Sequence, residues 1–307
     1  MNVGQKIQEA WHLTQFNPKL RWFGFIPAVL STLVGVGWLV YQYAVIGHLF
    51  FGEWANLNQY FTIAIEFAKK NGQWSVALGI ISIIVVILYL LLPSLFQGGL
   101  IYMTSETAQK RPARYSQGVA HGVLSYLRVF EFHSLISPLS VISVISLASW
   151  MVRWNGWETL AVAWPVFVLL LALSFGVSFF FSYVDYFLVL QKKSVFDSMG
   201  KSAKMVILNL PETALMMVLM LFIAVRILIN IVLILFIPIF ILVAVAYFSS
   251  LSLGVWGFVI AFLVALVLVG LVSYLNATIN AFATAVWVLT FHELYENNKS
   301  ELDDDDD

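Results

Sequence analysis

The feature that most constrains this chain is the length of its apolar runs. Residues 80–96 with their flanks, 160–190, 214–247 and 255–291 are dominated by Leu, Ile, Val and Phe. A hydrocarbon core about 30 Å thick is crossed by about 20 such residues in a helix. Composition agrees: 61% of the 307 residues are apolar and 11% are charged, where a soluble domain carries about 25% charged residues. A cytosolic domain could not cover that much aliphatic surface. The chain therefore reads as an all-α, polytopic membrane helical bundle.

Six spans are expected, near 23–46, 74–96, 135–152, 160–190, 211–246 and 255–291. Residues 1–22 carry Lys6, Glu9, Lys19 and Arg21 and no apolar core, so 23–46 reads as a retained first span rather than a cleaved leader. The last third leaves seven spans as the alternative. Its two segments are each roughly 54 Å long if wholly helical, and Pro238 could break the first of them. The loop 47–73 is expected to carry a short helix near 57–70.

Orientation follows from the cations. Lys6, Lys19, Arg21, Lys110, Arg111, Arg114, Arg128, Lys192, Lys193, Lys201, Lys204 and Lys299 fall on one side. Lys69, Lys70 and Arg153 fall on the other, and Arg226 lies within the fifth span. Cytoplasmic loops hold the excess of Lys and Arg. Both termini are therefore expected in the cytoplasm.

Three segments share one spacing. Val3, Ile7, Ala10, Trp11 and Thr14 match Val119, Val123, Tyr126, Leu127 and Phe130, and again Val195, Met199, Ser202, Ala203 and Val206. These offsets draw one stripe along a helix. Fourteen residues after each opening Val stands Asn17, His133 or Asn209, with Pro18, Pro138 or Pro211 following. A polar stop and a proline end a helix and turn the chain. The pattern predicts a threefold internal repeat of cytoplasmic interfacial amphipathic helix, span, outer loop and span, with units at about 1–96, 116–190 and 194–291. Residues 1–298 are expected as a single membrane domain and 299–307 as an acidic disordered tail.

"NPKLRWFGFIPAVLS" at 17–31, "VDYFLVLQKKSVFDSMGKSAKMVILN" at 184–209 and "AFATAVWVLTFHELYENN" at 281–298 resemble a broad group of uncharacterised bacterial multi-span proteins. The group includes the membrane domain fused to glycerophosphodiester phosphodiesterases. The resemblance covers nearly the whole chain. It implies a six-span bundle in a bacterial cytoplasmic membrane, and no catalytic residue, because the hydrolase chemistry of those fusions belongs to a separate soluble domain.

Other chemistry is thinly represented. There is no cysteine, hence no disulfide or thiol chemistry. Gly200-Lys201-Ser202 lacks the earlier glycine of a phosphate-binding loop, since Val195 holds that place. His292 is followed four residues on by Glu296 rather than a second His, so no metal site is expected. The tryptophans Trp22, Trp38, Trp54, Trp74, Trp150, Trp154, Trp157 and Trp256 read as an anchoring belt.

Two sets of residues carry the functional expectations. Arg226 and, one turn on, Asn230 are polar within an apolar span, where an Arg usually faces the bundle interior. Asp185, Asn276 and Asn280 lie near one depth and could form a polar cluster. Lys6, Lys19, Arg21, Arg128, Lys192, Lys193, Lys201 and Lys204 are the expected interfacial contacts to lipid. The leading expectation is a membrane module without catalytic activity or cofactor. It binds membrane lipids, a membrane-protein partner or a second copy of itself, and no nucleic acid. The alternative is a transporter or small channel lined by Arg226, Asn230 and the Asp185 cluster.

Overall fold

The computed structural model describes residues 3–51, 72–222, 225 and 255–303, and these form helices and no strand. In chain order they are α1 (Val3–Phe16), α2 (Pro18–Phe51), α3 (Gly72–Ala108), α4 (Tyr115–Ile136), α5 (Val141–Asn155), α6 (Trp157–Phe180), α7 (Val184–Leu190), α8 (Val195–Leu208), α9 (Leu210–Phe222), α10 (Val255–Asn297) and α11 (Lys299–Asp303). A 3-10 turn, Ser137–Leu139, joins α4 to α5.

Among the described residues, Gly79–Ala108, Trp157–Leu190 and Leu266–Asn297 are long and apolar enough to cross a membrane. Two bent pairs raise the number from 3 to 5 if each is one span: α4 with α5, at 43°, and α8 with α9, at 102°. Among the described residues the fold is thus all-helical, with three to five candidate membrane-crossing helices. The hidden seventh crossing at Pro238 and the loop helix near 57–70 lie outside the described residues.

Helix ends follow local chemistry. α1 stops at Asn17, whose side-chain amide donates to the Leu13 carbonyl at 2.9 Å, and α8 stops at Asn209, whose amide donates to the Met205 carbonyl at 2.9 Å. In each case the amide satisfies an end carbonyl four residues back. Pro18 then opens α2, where its missing N–H is not needed. Asn298, between α10 and α11, repeats the device on Leu294 at 2.8 Å and also donates to Asn209 Oδ1 at 3.2 Å. His133, the expected third stop, stays helical: α4 continues to Ile136. Its Nε2 points to Asp185 Oδ2, at 3.2 Å, rather than back along its own helix.

The turn between α5 and α6 is Gly156, at φ 80° and ψ 172°, a conformation open essentially to glycine alone. α3 ends differently. Lys110 takes a left-handed φ of 60° while its N–H bonds the Thr107 carbonyl at 3.0 Å and the Arg111 N–H bonds the Glu106 carbonyl at 2.9 Å. This is a Schellman ending with lysine where glycine is usual. Lys192, after α7, also takes a left-handed φ, 55°.

The expected single domain divides, by contacts, into two compact units. One comprises Met1–Gly24, Ser94–Ala224 and Asn280–Asp307. Its core gathers around α7, a seven-residue helix in which Val184, Tyr186, Phe187, Leu188 and Val189 are all buried. Phe291 sits edge-on to Phe187 at 5.0 Å between ring centres, and Ile101, Val129, Met205 and Val288 complete the cluster. A helix apolar on all sides belongs inside protein. Leu302 is fully buried in the same cluster. The expected disordered tail is therefore helical through α11, because Leu302 gives it an apolar side chain to bury.

The other unit comprises Phe25–Pro93 and Val225–Ile279. There Ala28, Thr32, Val272, Ser273 and Ala277 are buried, whereas Ile80, Ile83, Val86 and Leu90 on α3 stand exposed. Exposed aliphatic side chains along a span are what hydrocarbon requires.

Within the first unit, α3 and α4 meet through small residues. The buried face of α4 is Gly118, Gly122, Ser125, Val129 and Phe132. A methyl group added at Gly122 would strike the Leu95 carbonyl oxygen, and one at Gly99 would strike the Gly118 carbonyl and Phe23. Backbones approach this closely where Gly and Ser line a membrane-type helix interface. The apolar stripe read from the sequence lies elsewhere: Val119, Val123 and Leu127 are exposed, Leu127 by 72%. By helical spacing that stripe is on the opposite side from the glycines.

Candidate functional site

Three polar places in the first unit lie at or near helix ends. The first is the short turn between α6 and α7, inside the expected span 160–190; the stretch Trp157–Leu190 as a whole is long and apolar enough to cross. Ser202 on α8 spans the turn: its hydroxyl donates to the Phe180 carbonyl at 2.8 Å and accepts from the Tyr183 N–H at 3.1 Å. Both backbone groups released by the break are thereby satisfied. The Tyr183 hydroxyl in turn shares a hydrogen bond of 3.2 Å with Thr213 on α9, and the Tyr183 ring meets Trp287 edge-on at 5.3 Å.

The second place ties the chain's two ends. Lys6 on α1 forms an ion pair with Glu293 and donates to the Leu289 carbonyl at 3.1 Å, both on α10. Close by in sequence, His292 Nε2 lies 2.9 Å from Ser105 Oγ on α3, and Gln109 donates to the same hydroxyl at 3.4 Å. A serine beside a histidine has the outline of a nucleophile and base. Ser105 is only 4% exposed, however, and its oxygen already serves two neighbours. The arrangement acts as an interhelical link.

The third place is a cleft of about 650 Å³ between α1 and the end of α3. Gln5, Gln8, Glu9 and His12 form one wall, and Lys110 and Arg111 stand on the other. His12 stacks on Phe16 at 4.3 Å, and Arg111 reaches Glu106 at 3.5 Å. Sequence reasoning missed this cleft. Its walls lie about a hundred residues apart in the chain, and only the unusual backbone of Lys110 marks the spot.

Arg226 and Asn230 lie outside the described residues. Asp185, Asn276 and Asn280 are given different surroundings: Asp185 Oδ2 pairs with His133 Nε2 at 3.2 Å, Asn276 donates to Thr32 at 3.4 Å, and Asn280 is exposed. The other Asp185 oxygen is buried without a hydrogen-bond partner among the described residues.

The basic set divides too. Lys6 and Lys201 are buried, the latter with 4% exposure, so neither is displayed toward headgroups. Burial is tolerable for Lys6 because Glu293 neutralises it. Lys19 donates to the Ala113 carbonyl at 3.5 Å, Arg21 to Gln15 at 3.3 Å, and Arg128 to the Lys193 carbonyl at 3.4 Å. These three brace backbone near the turns. Lys192 is exposed, and Lys193 and Lys204 are half-buried. Among the described residues no group of three His, Asp or Glu side chains converges to hold a metal.

Comparison with protein-family models, with curated proteins and with solved structures finds no match. The described helices are those of an all-helical membrane protein.

Proposed function

We propose that this chain is a non-catalytic membrane module that binds phospholipid at the cytoplasmic surface of a bacterial cytoplasmic membrane. In this reading six spans cross the bilayer, both termini are cytoplasmic, and α1, α4 and α8 are the interfacial helices of a threefold repeat. Support for the repeat comes from the matched endings at Asn17 and Asn209. The resemblance to membrane domains fused to glycerophosphodiester phosphodiesterases points in the same direction.

The observation that carries the proposal is the two-sidedness of α4. One face, Gly118–Gly122–Ser125, packs on protein, while Val119, Val123, Leu124 and Leu127 on the other side are exposed. α1 leaves Trp11 and Phe16 exposed, and α8 leaves Phe196 and Ile207 exposed. Short helices with one protein-facing and one free apolar face fit the headgroup–acyl boundary.

Native mass spectrometry of the gently solubilised full chain, with identification of retained lipid, tests the reading. A stoichiometric phospholipid is the expected result. A bare chain across mild detergents would overturn it.

A further inference from the structure

We propose that the cleft between α1 and the end of α3 holds a zwitterionic headgroup, one that carries both a phosphate and a primary ammonium. The inference rests on the lipid-module reading and supplies its site.

Four observations converge on the cleft. Its volume, about 650 Å³, lies within the range of roughly 300–1,000 Å³ common to small-ligand sites. Its charges are divided between walls: Glu9 with Gln5 and Gln8 on α1, Lys110 and Arg111 across from them. That pattern matches a ligand with an anionic and a cationic end. Phosphate takes the Lys110 ammonium and the Arg111 guanidinium, and the ligand's ammonium takes the Glu9 carboxylate. A purely anionic headgroup would leave Glu9 repelling it.

The backbone adds a second line. Lys110 occupies a left-handed conformation, φ 60°, that costs a side-chain-bearing residue about 1 kcal/mol or more. Glycine would close the same Schellman ending without that cost. Unlike Lys192, which shares this backbone, Lys110 lines the cleft, so its ammonium is placed where an anion would be met. The setting also fits a lipid source. Trp11, Phe16 and Trp22 flank the cleft's α1 wall in sequence and are exposed, Phe16 by 67%, as aromatic side chains at headgroup depth are.

The experiment uses the full chain in nanodiscs, with phosphatidylethanolamine and phosphatidylglycerol as probes and retention read by native mass spectrometry. Lys110→Gly removes the ammonium while relaxing the turn, so loss of fold does not confuse the result. It is expected to lower retention of both lipids about tenfold, the scale of one charged hydrogen bond. Glu9→Gln is expected to lower phosphatidylethanolamine retention several-fold and to raise that of phosphatidylglycerol, whose anionic headgroup it no longer repels. Equal retention of phosphatidylethanolamine by both variants and the parent overturns the cleft while leaving the module reading intact. A parent chain that retains neither lipid and binds no free phosphoethanolamine overturns both. Free phosphoethanolamine binds in the same cleft if the headgroup is taken from solution. Saturation by it, with no lipid retention, overturns the lipid as the source.

Discussion

Ser202 and Tyr183 are joined through the backbone: the serine oxygen accepts the Tyr183 N–H at 3.1 Å and simultaneously donates to the Phe180 carbonyl at 2.8 Å. One hydroxyl therefore replaces the helical bonding lost where α6 gives way to α7. The break lets α7 turn every side into the core. The amphipathic stripe of α8, which includes Ser202, supplies the repair.

Replacing Ser202 by alanine leaves both backbone groups buried and unpaired. A loss of about 1–3 kcal/mol is expected, measured as an earlier midpoint in an SDS titration of the protein in mixed micelles. Ser202→Thr keeps the hydroxyl and should recover part of the loss. An unchanged midpoint for Ser202→Ala would mean that the break is stable without it.

The glycines of the α3–α4 seam allow a paired comparison. Gly122→Ala places a methyl against the Leu95 carbonyl, whereas Gly200→Ala on α8 meets nothing within 4 Å. The first should destabilise by about 1–3 kcal/mol, the usual cost of overpacking. The second should be neutral or stabilise by up to about 1 kcal/mol from helix propensity. The same titration reads both, and opposite signs are the expected outcome.

The Lys6–Glu293 pair predicts an asymmetry. Lys6 is nearly buried and also serves the Leu289 carbonyl, while the Glu293 side chain is 38% exposed. Lys6→Ala removes the buried charge with its stem and leaves the part-exposed Glu293 to water, so it should cost about 1 kcal/mol. Glu293→Gln leaves the nearly buried ammonium without its counter-charge and should cost more, about 1–3 kcal/mol. A smaller loss for Glu293→Gln than for Lys6→Ala would mean that water reaches Lys6.

Because the chain contains no cysteine, single cysteines report topology against no background. Ser116→Cys and Glu158→Cys are both at exposed positions. In right-side-out vesicles, an impermeant maleimide should label the second and spare the first until the membrane is opened. The reverse pattern would invert the proposed orientation.

Sequence was a good guide where hydrophobicity alone decides and a poor one where proximity does. The apolar runs at 80–96 and 255–291 emerge within α3 and α10, and Asn17 and Asn209 end their helices as their amides allow. The stripe on α4 was visible, but its meaning was not. In lipid the greasier face turns outward, so the protein-facing side is the one with Gly118, Gly122 and Ser125, which a hydrophobicity pattern passes over. The grouping of Asp185 with Asn276 and Asn280 came from depth along helices. Depth says nothing about direction around them, and Asp185 faces His133 instead. Nothing in the local sequence of Lys6 announces Glu293, 287 positions away, or distinguishes it from a headgroup contact.

The seam between Leu95–Gly99 and Gly118–Ser125 has a mechanical consequence. Where one carbon atom cannot be inserted, neither can a file of water, an ion or a solute. Nor can the two helices roll over one another without lifting their backbones apart. α3 and α4 must travel as a single rigid strut through this stretch. Any permeation route would have to run along other helices, with this strut as a fixed wall rather than a gate.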